Sequence, residues 1–306
     1  MRLNKLFAVL SAAGIMAMVG PAQASITFQF NPLGNGTGVG LINGAGLLDQ
    51  APGNVNSING AGGGGPVPVG TVITDLYQSN LSAVQKLSTA NLFSNGDFGK
   101  FFTFVANFSE RVTSAFIAGS DAVDIVSVNG GGTIKMCVQT MLGDNLSGVG
   151  FGCAGSGILS ARVDSGSSSI TAHLANPLQP LDQAGADDWF GTQTLDTDGS
   201  AKLKATVTFV DSKYFPDLRI GSKVALNSSF ITPYNQVDPS RRFSTGLVTD
   251  DTMTDIGPIN GLTGPNFIFQ ADANNSFDAP EPGVLALGGI ALAGLAQLRS
   301  RRRQSA

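Results

Sequence analysis

The chain has few of the side chains on which enzyme active sites are built. Its 306 residues include one histidine, one tryptophan and two cysteines, and only Glu110 and Glu281 among its 22 acidic residues are glutamates. A Ser-His-Asp triad would have His173 as its only candidate base, and this residue lies in a strand-like run where a structural role is the simpler interpretation. The sequence therefore predicts a protein that is not an enzyme.

The scarcity of glutamate and lysine also argues against a helical fold, since both residues favour helix interiors. Aspartate and glycine, which favour turns, are abundant, and there are 40 glycines. Apolar residues alternate with polar ones over 102–108 and 201–210. We predict an all-β fold, an antiparallel β-sandwich or jelly roll, over residues 71–278. The Gly/Asn-rich segment 25–70 is predicted to be mostly loop after a first strand at Ile26–Phe30.

Glycine-rich breaks between apolar runs predict hairpins. Residues 123–128 and 133–140 flank Asn129-Gly130-Gly131-Gly132, and residues 157–163 and 169–174 flank a Ser/Gly stretch. Further strands are predicted at 72–81, 219–230 and 267–271.

Cys137 and Cys153 are predicted to form a structural disulfide, with two free buried thiols as the alternative. A zinc site is not favoured, because two thiols and a single histidine do not complete tetrahedral coordination. Asp196 and Asp198 precede Gly199 as in the start of a calcium loop, although the later bidentate glutamate of an EF-hand is missing. Solvated turns are the alternative, here and for the other clustered acids at Asp250, Asp251, Asp255 and Asp272–Asn275.

Both ends of the chain carry targeting features. Arg2 and Lys5 precede the apolar run Leu6–Val19, and small residues follow, so residues 1–24 are predicted to be a helical signal peptide cut between Ala24 and Ser25. At the other end, Pro280-Glu281-Pro282 precedes the uncharged run Val284–Leu298, which four arginines between 299 and 303 close. This run is predicted to be a hydrophobic helix whose arginines stay on the cytoplasmic side.

The hydrophobic run is short for a permanent membrane span. Its 15 residues reach about 22 Å as a helix, whereas the hydrocarbon core is about 30 Å thick. A transient anchor is therefore favoured over an ordinary tail anchor. Between Ser25 and Ala279 there are 12 basic and 21 acidic residues, a net charge of about −9. That charge argues against nucleic acid and anionic lipid as partners.

The three-part end over 279–306 resembles the PEP-CTERM sorting signal of Gram-negative bacteria. The resemblance is carried by Pro280, Glu281, Pro282 and the cluster Arg301, Arg302 and Arg303. It implies recognition by exosortase, a membrane enzyme that removes the tail, after export by the Sec machinery and cleavage by signal peptidase. It also implies transient anchoring in the inner membrane and a role in exopolysaccharide or biofilm matrix.

Segments of the body are similar to flocculation-associated PEP-CTERM proteins. These segments are Asp49–Asn54, Tyr77–Leu81, Tyr214–Asp217, Val237–Ser240 and Phe269–Phe277. The resemblance implies a non-enzymatic matrix or cell-surface protein that helps cells aggregate. The alternative is a carbohydrate-binding β-sandwich, in which Trp189 beside Asp187 and Asp188 stacks on a sugar, with or without calcium. A secreted polysaccharide hydrolase is the remote alternative.

Overall fold

The described part of the chain is built from β-strands. A computed structural model describes residues 26–60, 66–88, 90–128, 130–153, 155–186, 188–245, 253–255, 260 and 265–278. The strands are β1 Phe28–Phe30, β2 Ile42–Ala45, β3 Leu47–Gln50, β4 Gly53–Ile58, β5 Val72–Gln85, β6 Asn91–Ser94, β7 Phe101–Ala118, β8 Asp121–Val128, β9 Thr133–Gln139, β10 Leu159–His173, β11 Gln179–Pro180, β12 Gln193–Thr194, β13 Thr197–Val210, β14 Lys223–Thr232, β15 Arg242–Ser244, β16 Met253–Asp255 and β17 Phe267–Asp278. A single 3-10 turn spans Asp97–Gly99.

Most of these strands belong to one large antiparallel sheet that closes on itself. Its long strands pair with their successors along the chain, from β5 through β7, β8, β10, β13 and β14 to β17. Closure follows because β17 also pairs with β3 and β4, which in turn pair with β5. Opposite walls of the sheet face each other across a common interior, as in a sandwich. The prediction of an all-β, antiparallel, sandwich-like fold is therefore confirmed.

The hairpin predicted around Gly130–Gly132 is wrong. β8 and β9 do not pair with each other; both pair with β7 and with β10, so they lie end to end as one interrupted strand. The three glycines have positive φ and form the interruption. At Gly132 a Cβ atom would collide with the carbonyl oxygen of Asn107 on β7, so glycine lets the two strands approach.

The second predicted hairpin is also wrong. Residues 159–173 form the single strand β10, which pairs with β13 along almost its whole length. The Ser/Gly stretch at 165–168 pairs in regular register with β13, and a register irregularity lies just before it, between Val163 and Ser165. Such irregularities bend a strand without ending it, and the sequence signal for a bulge resembles that for a turn.

The prediction of a loop over 31–70 is wrong as well, because this segment contributes β2, β3 and β4. Two features hid the strands. Asn54 of β4 points to the outer face of the sheet, yet it is buried, and its side-chain oxygen accepts the backbone N–H of Ser240. An asparagine that is buried in this way cannot be told from a loop residue by the alternation of polar and apolar residues. Gly53 lies against Gln78 and Ser79 of β5 so closely that a Cβ would not fit. Glycine and asparagine here mark close packing rather than a loop.

The interior is densely aromatic at one end of the closed sheet. Phe28, Phe30, Phe93, Phe102 and Phe277 are all fully or nearly fully buried. The ring of Phe30 contacts those of Phe93 and Phe102 edge-on at centroid distances of 5.7 and 5.3 Å. Edge-to-face contacts of this kind add about 0.5–1.5 kcal/mol each beyond the area they bury. This end of the interior is therefore filled.

Several strands are also covered on their outer face. Val105 of β7 packs outside the sheet with Phe151, and Leu76 of β5 packs outside it with Tyr234 and Phe243. Strands buried on both faces carry near-continuous apolar runs. Such burial explains why β5 shows few exposed positions and why β7 shows none from Phe101 to Phe108.

Several predictions fall outside the described residues. They are the signal peptide at 1–24 with its cleavage site at Ala24 and Ser25, and the sorting signal at 279–306 with Pro280, Glu281, Pro282 and Arg301–Arg303. Residues 26–277 form one compact unit. In the described part of the chain, no helix has the length and apolar character that crossing a membrane requires.

Candidate functional site

The predicted disulfide between Cys137 and Cys153 is confirmed. Cys137 lies near the end of β9, and its Cα atom is 5.8 Å from that of Cys153 in the following loop. Both residues are buried on the outer face of the sheet beside Val105 and Phe151. The bond therefore fastens the loop after β9 onto the outside of the sheet.

The structure places Asp198 in β13 and Asp196 directly before the first residue of that strand. Asp196 accepts a hydrogen bond from the side-chain amide of Asn176, 2.6 Å away, and Asp198 lies 3.1 Å from Nε2 of His173. Nδ1 of His173 lies 3.1 Å from Asp121 on β8. His173 thus links three adjacent strands. Calcium binding by Asp196 and Asp198 stays a prediction.

Hydrogen bonds to two carboxylates favour the protonated form of His173. The bonds to Asp121 and then Asp198 raise the pKa of the imidazole above its ordinary value. Both ring nitrogens are engaged with acids, so the protonated form is favoured. This arrangement supports the structural role predicted for His173, because a general base needs a free nitrogen that faces a substrate.

Trp189 lies half-buried against the loop that follows β14. Its indole Nε1–H donates to the carbonyl oxygen of Pro239 at 2.9 Å. The guanidinium of Arg241 lies over the ring, 5.6 Å from its centroid, and donates to the backbone carbonyl of Asp188 at 2.7 Å. Two independent contacts therefore hold the indole in one orientation. The neighbouring Asp187 lies outside the described residues.

Three carboxylates come together beside Trp189. One oxygen each of Asp182, Asp188 and Asp238 lie within 4.8 Å of one another. Burial raises the pKa of Asp182, and the charge of Asp238 raises it further, although the N–H of Ala184 donates to the carboxylate and opposes the shift. Carboxylate oxygens are ligands that Ca²⁺ accepts, but grouped acids occur on protein surfaces without an ion. This cluster could not be predicted from local sequence, because Asp238 is distant in the chain from Asp182 and Asp188.

Two other groups of acids, at Asp250–Asp255 and Asp272–Asn275, are predicted from the sequence as either calcium ligands or solvated turns. Residues 272–275 lie in β17, with the side chain of Asp272 exposed on the outer face and Asn275 buried. Asp250 and Asp251 lie outside the described residues, and only the backbone of Asp255, in β16, is described.

A cavity of about 130 Å³ occupies the interior of the closed sheet, at the end opposite the aromatic cluster. Side chains from all the long strands line it, and most of them are apolar, including Leu226, Phe230, Phe267 and Phe269. Leu178 lines the cavity and is 39% exposed, so the cavity reaches the surface there.

Two buried carboxyl groups face this cavity from adjacent strands. Asp75 of β5 and Glu110 of β7 bond to each other, with Ser57 donating to Asp75. The hydroxyl of Ser168 donates to Glu110 at 3.0 Å. Glu110 pairs with Ile73 of β5, and paired residues on adjacent strands point to the same face of a sheet. Asp75 is two residues from Ile73 and points to that face too, so both acids lie on the inner face.

Burial sets the protonation of the pair. Removal from water raises the pKa of Glu110 to about 9, and the charge of Asp75 contributes to the shift. Burial also raises the pKa of Asp75, to about 6, while hydrogen bonds from Ser57 and Glu110 oppose the rise. At neutral pH Glu110 therefore keeps its proton and donates to an ionised Asp75. The pair carries one negative charge inside the sheet.

A third carboxylate lies on the same wall of the cavity. Asp124 of β8 is buried and accepts the backbone N–H of Val67 at 3.1 and 3.2 Å from its two oxygens. Burial raises its pKa, and the Val67 bond opposes that rise. Asp75, Glu110 and Asp124 are not among the site residues predicted from the sequence. The position of Glu110 could have been predicted, because an even number of residues separates it from the inward-facing Phe104 and Phe108 in β7, so all three side chains point to the same face.

Comparisons of the chain with protein-family models, with curated proteins and with solved structures each give no match.

Proposed function

We propose that this chain is a non-enzymatic exported protein of the extracellular matrix or cell surface, sorted through its C-terminal signal by exosortase. The observation that carries the proposal is the order of the last residues. Pro280-Glu281-Pro282 is followed by the uncharged run Val284–Leu298 and then by the arginine cluster. Guanidinium groups resist transfer across the membrane, so the chain stops with everything before the run outside.

The two ends act in sequence in this proposal. The signal peptide directs the chain to the Sec machinery and is removed before Ser25. The C-terminal run then holds the chain in the inner membrane until exosortase cuts near Pro280-Glu281-Pro282. The short, glycine-containing run supports a temporary anchor, since it reaches about 22 Å against a hydrocarbon core of about 30 Å. The released body joins the exopolysaccharide matrix of a biofilm or floc.

The disulfide and the net charge of the segment between the two ends are compatible with an exported protein. Disulfides persist in oxidising compartments, and Cys137 and Cys153 form one. The net charge of about −9 between Ser25 and Ala279 favours solubility and disfavours nucleic acid as a partner. These features support export but do not specify the matrix polymer.

Neutralising the arginine cluster tests the sorting step. Replacing Arg301, Arg302 and Arg303 with glutamine should reduce membrane retention and tail removal severalfold in cell fractionation, because the stop signal is lost. The matched control removes three positive charges from the body, at Lys202, Lys204 and Lys213, and should leave processing unchanged. Equal processing of the arginine variant and the unaltered chain would refute the sorting proposal.

Carbohydrate binding is a second candidate function, favoured by the setting of Trp189. Its indole is held in one orientation, and three carboxylates that can accept sugar hydroxyls lie beside it. A pull-down with matrix polysaccharide tests this function. Trp189→Ala should lose saturable binding, whereas Phe190→Ala, which removes a ring that is 91% exposed, should retain it. Equal binding by the two variants would exclude Trp189 as the sugar platform.

A further inference from the structure

The interior cavity combines apolar side chains with buried acids. Phe230, Phe267 and Phe269 line it from β14 and β17, and Asp75 and Glu110 line it from β5 and β7; Ser57 of β4 lies in register between Phe267 and Asp75. Among the described residues that line the cavity there is no lysine or arginine. The acids therefore lack a cationic partner within the described lining.

The negative charge of the Asp75–Glu110 pair lowers the stability of the ligand-free protein. Asp75 is 4% exposed and Glu110 is 6% exposed, so water solvates the pair poorly. Buried charges are stable when they are paired or well hydrogen-bonded. The Ser57 and Ser168 hydroxyls donate to the pair but do not neutralise it. A ligand that brings a positive charge would supply what the lining lacks.

We propose that this cavity binds a small apolar amine, with its hydrocarbon body against Phe230, Phe267 and Phe269 and its ammonium group against the carboxylate of Asp75. The proposal goes beyond sorting and matrix assembly, because it uses neither end of the chain. It assigns the closed sheet a binding activity of its own. An anionic ligand such as a fatty acid is excluded by like-charge repulsion in a poorly solvated site.

The size of the cavity limits the ligand. A cavity of about 130 Å³ is close to the ~150 Å³ cavity that accommodates benzene. The ligand is therefore about one aromatic ring or a short alkyl chain with its amine. Leu178, which lines the cavity and is 39% exposed, marks the side from which the ligand would enter.

Three probes of equal shape and different charge test the proposal. Calorimetric titration of the full chain at pH 7 would compare 2-phenylethylamine, 2-phenylethanol and phenylacetate. The amine should bind about tenfold or more tightly than the alcohol, equivalent to ~1.4 kcal/mol, and the acid should not bind. Asp75→Asn should abolish the preference for the amine while the alcohol still binds. The control Asp272→Asn, an exposed carboxylate on the outer face, should keep it.

A second variant covers the case in which Asp75→Asn does not fold. Ala271 lines the cavity and is 2% exposed, so Ala271→Leu should fill space and weaken the amine at least tenfold. Equal affinity for amine and alcohol, or no binding of the amine at millimolar concentration, would overturn the proposal. So would full amine affinity in Ala271→Leu or in a folded Asp75→Asn.

Discussion

At the scale of single residues, the acids inside the sheet are the least expected feature. Natural interiors rarely hold ionisable groups unless they are paired. Here Asp75 and Glu110 are paired with each other, and two serine hydroxyls complete their hydrogen bonding. An acid pair of this kind makes folding sensitive to pH, and the sign of the effect follows from the direction of the pKa shifts.

The protonation of Glu110 predicts that stability falls with rising pH. Burial raises its pKa in the folded protein to about 9, so between its ordinary value of 4.5 and pH 9 the folded state holds a proton that the unfolded state has lost. Stability present at low pH is thus lost as pH rises, by up to ~1.4 kcal/mol per pH unit. Urea denaturation of the full chain at several pH values measures this slope.

Glu110→Gln should flatten this slope, because the amide keeps a donor for Asp75 but does not titrate. Asp97→Asn should leave the slope as it is, since Asp97 is exposed in the 3-10 turn far from the cavity lining and the amide can still accept the N–H of Ser94. A Glu110→Gln protein with the unaltered pH dependence would show that Glu110 is not held protonated inside the sheet.

At the scale of strands and loops, alternation predicted the long strands well. The alternating segment 201–210 and the strand predicted at 72–81 correspond to β13 and β5, because each presents a regular inner face to the core. Alternation did not reveal β4, where Gly53 and Asn54 pack closely against neighbouring segments. It also failed at Gly130–Gly132, where the same glycines suit a turn and a strand interruption, and local sequence cannot separate the two.

Gly132 distinguishes these two interpretations experimentally. Gly131 and Gly132 have similar φ angles, 90° and 87°, but a Cβ at 131 meets open space whereas one at 132 meets the Asn107 backbone. Gly132→Ala should therefore destabilise the protein more than Gly131→Ala, by about 1–3 kcal/mol in thermal or chemical unfolding. Equal losses would favour a free turn over close strand contact.

The disulfide is expected to stabilise the outer loop by restricting the unfolded chain. Its two cysteines are 16 residues apart, which corresponds to about 3 kcal/mol in the chain-entropy estimate. Replacing both Cys137 and Cys153 with serine should lower the free energy of unfolding by about that amount. The doubly substituted protein should be insensitive to a reducing agent, whereas the unaltered protein should lose stability when reduced. No change on reduction would contradict this role.

At the scale of the whole molecule, the sheet and the ends carry separate tasks. The closed sheet over 26–277 is a self-contained body with its own interior cavity. In the proposed function, the two ends of the chain determine where that body goes. The sequence predicted the all-β class because that class depends on local composition and alternation. The targeting ends, predicted from local features as well, stay a prediction because they lie outside the described residues. The sequence did not predict the cavity or the cluster of Asp182, Asp188 and Asp238, since these arise from residues that only the closed sheet brings together.

Mass spectrometry of both termini, on protein recovered from cells and from the surrounding matrix, tests the central proposal most directly. The matrix form should begin at Ser25 and end upstream of Val284, and a form that still carries the tail should be found only in the membrane fraction. A chain running from Met1 to Ala306 that is recovered free in the cytosol, with no processed form elsewhere, would contradict the proposed export and sorting.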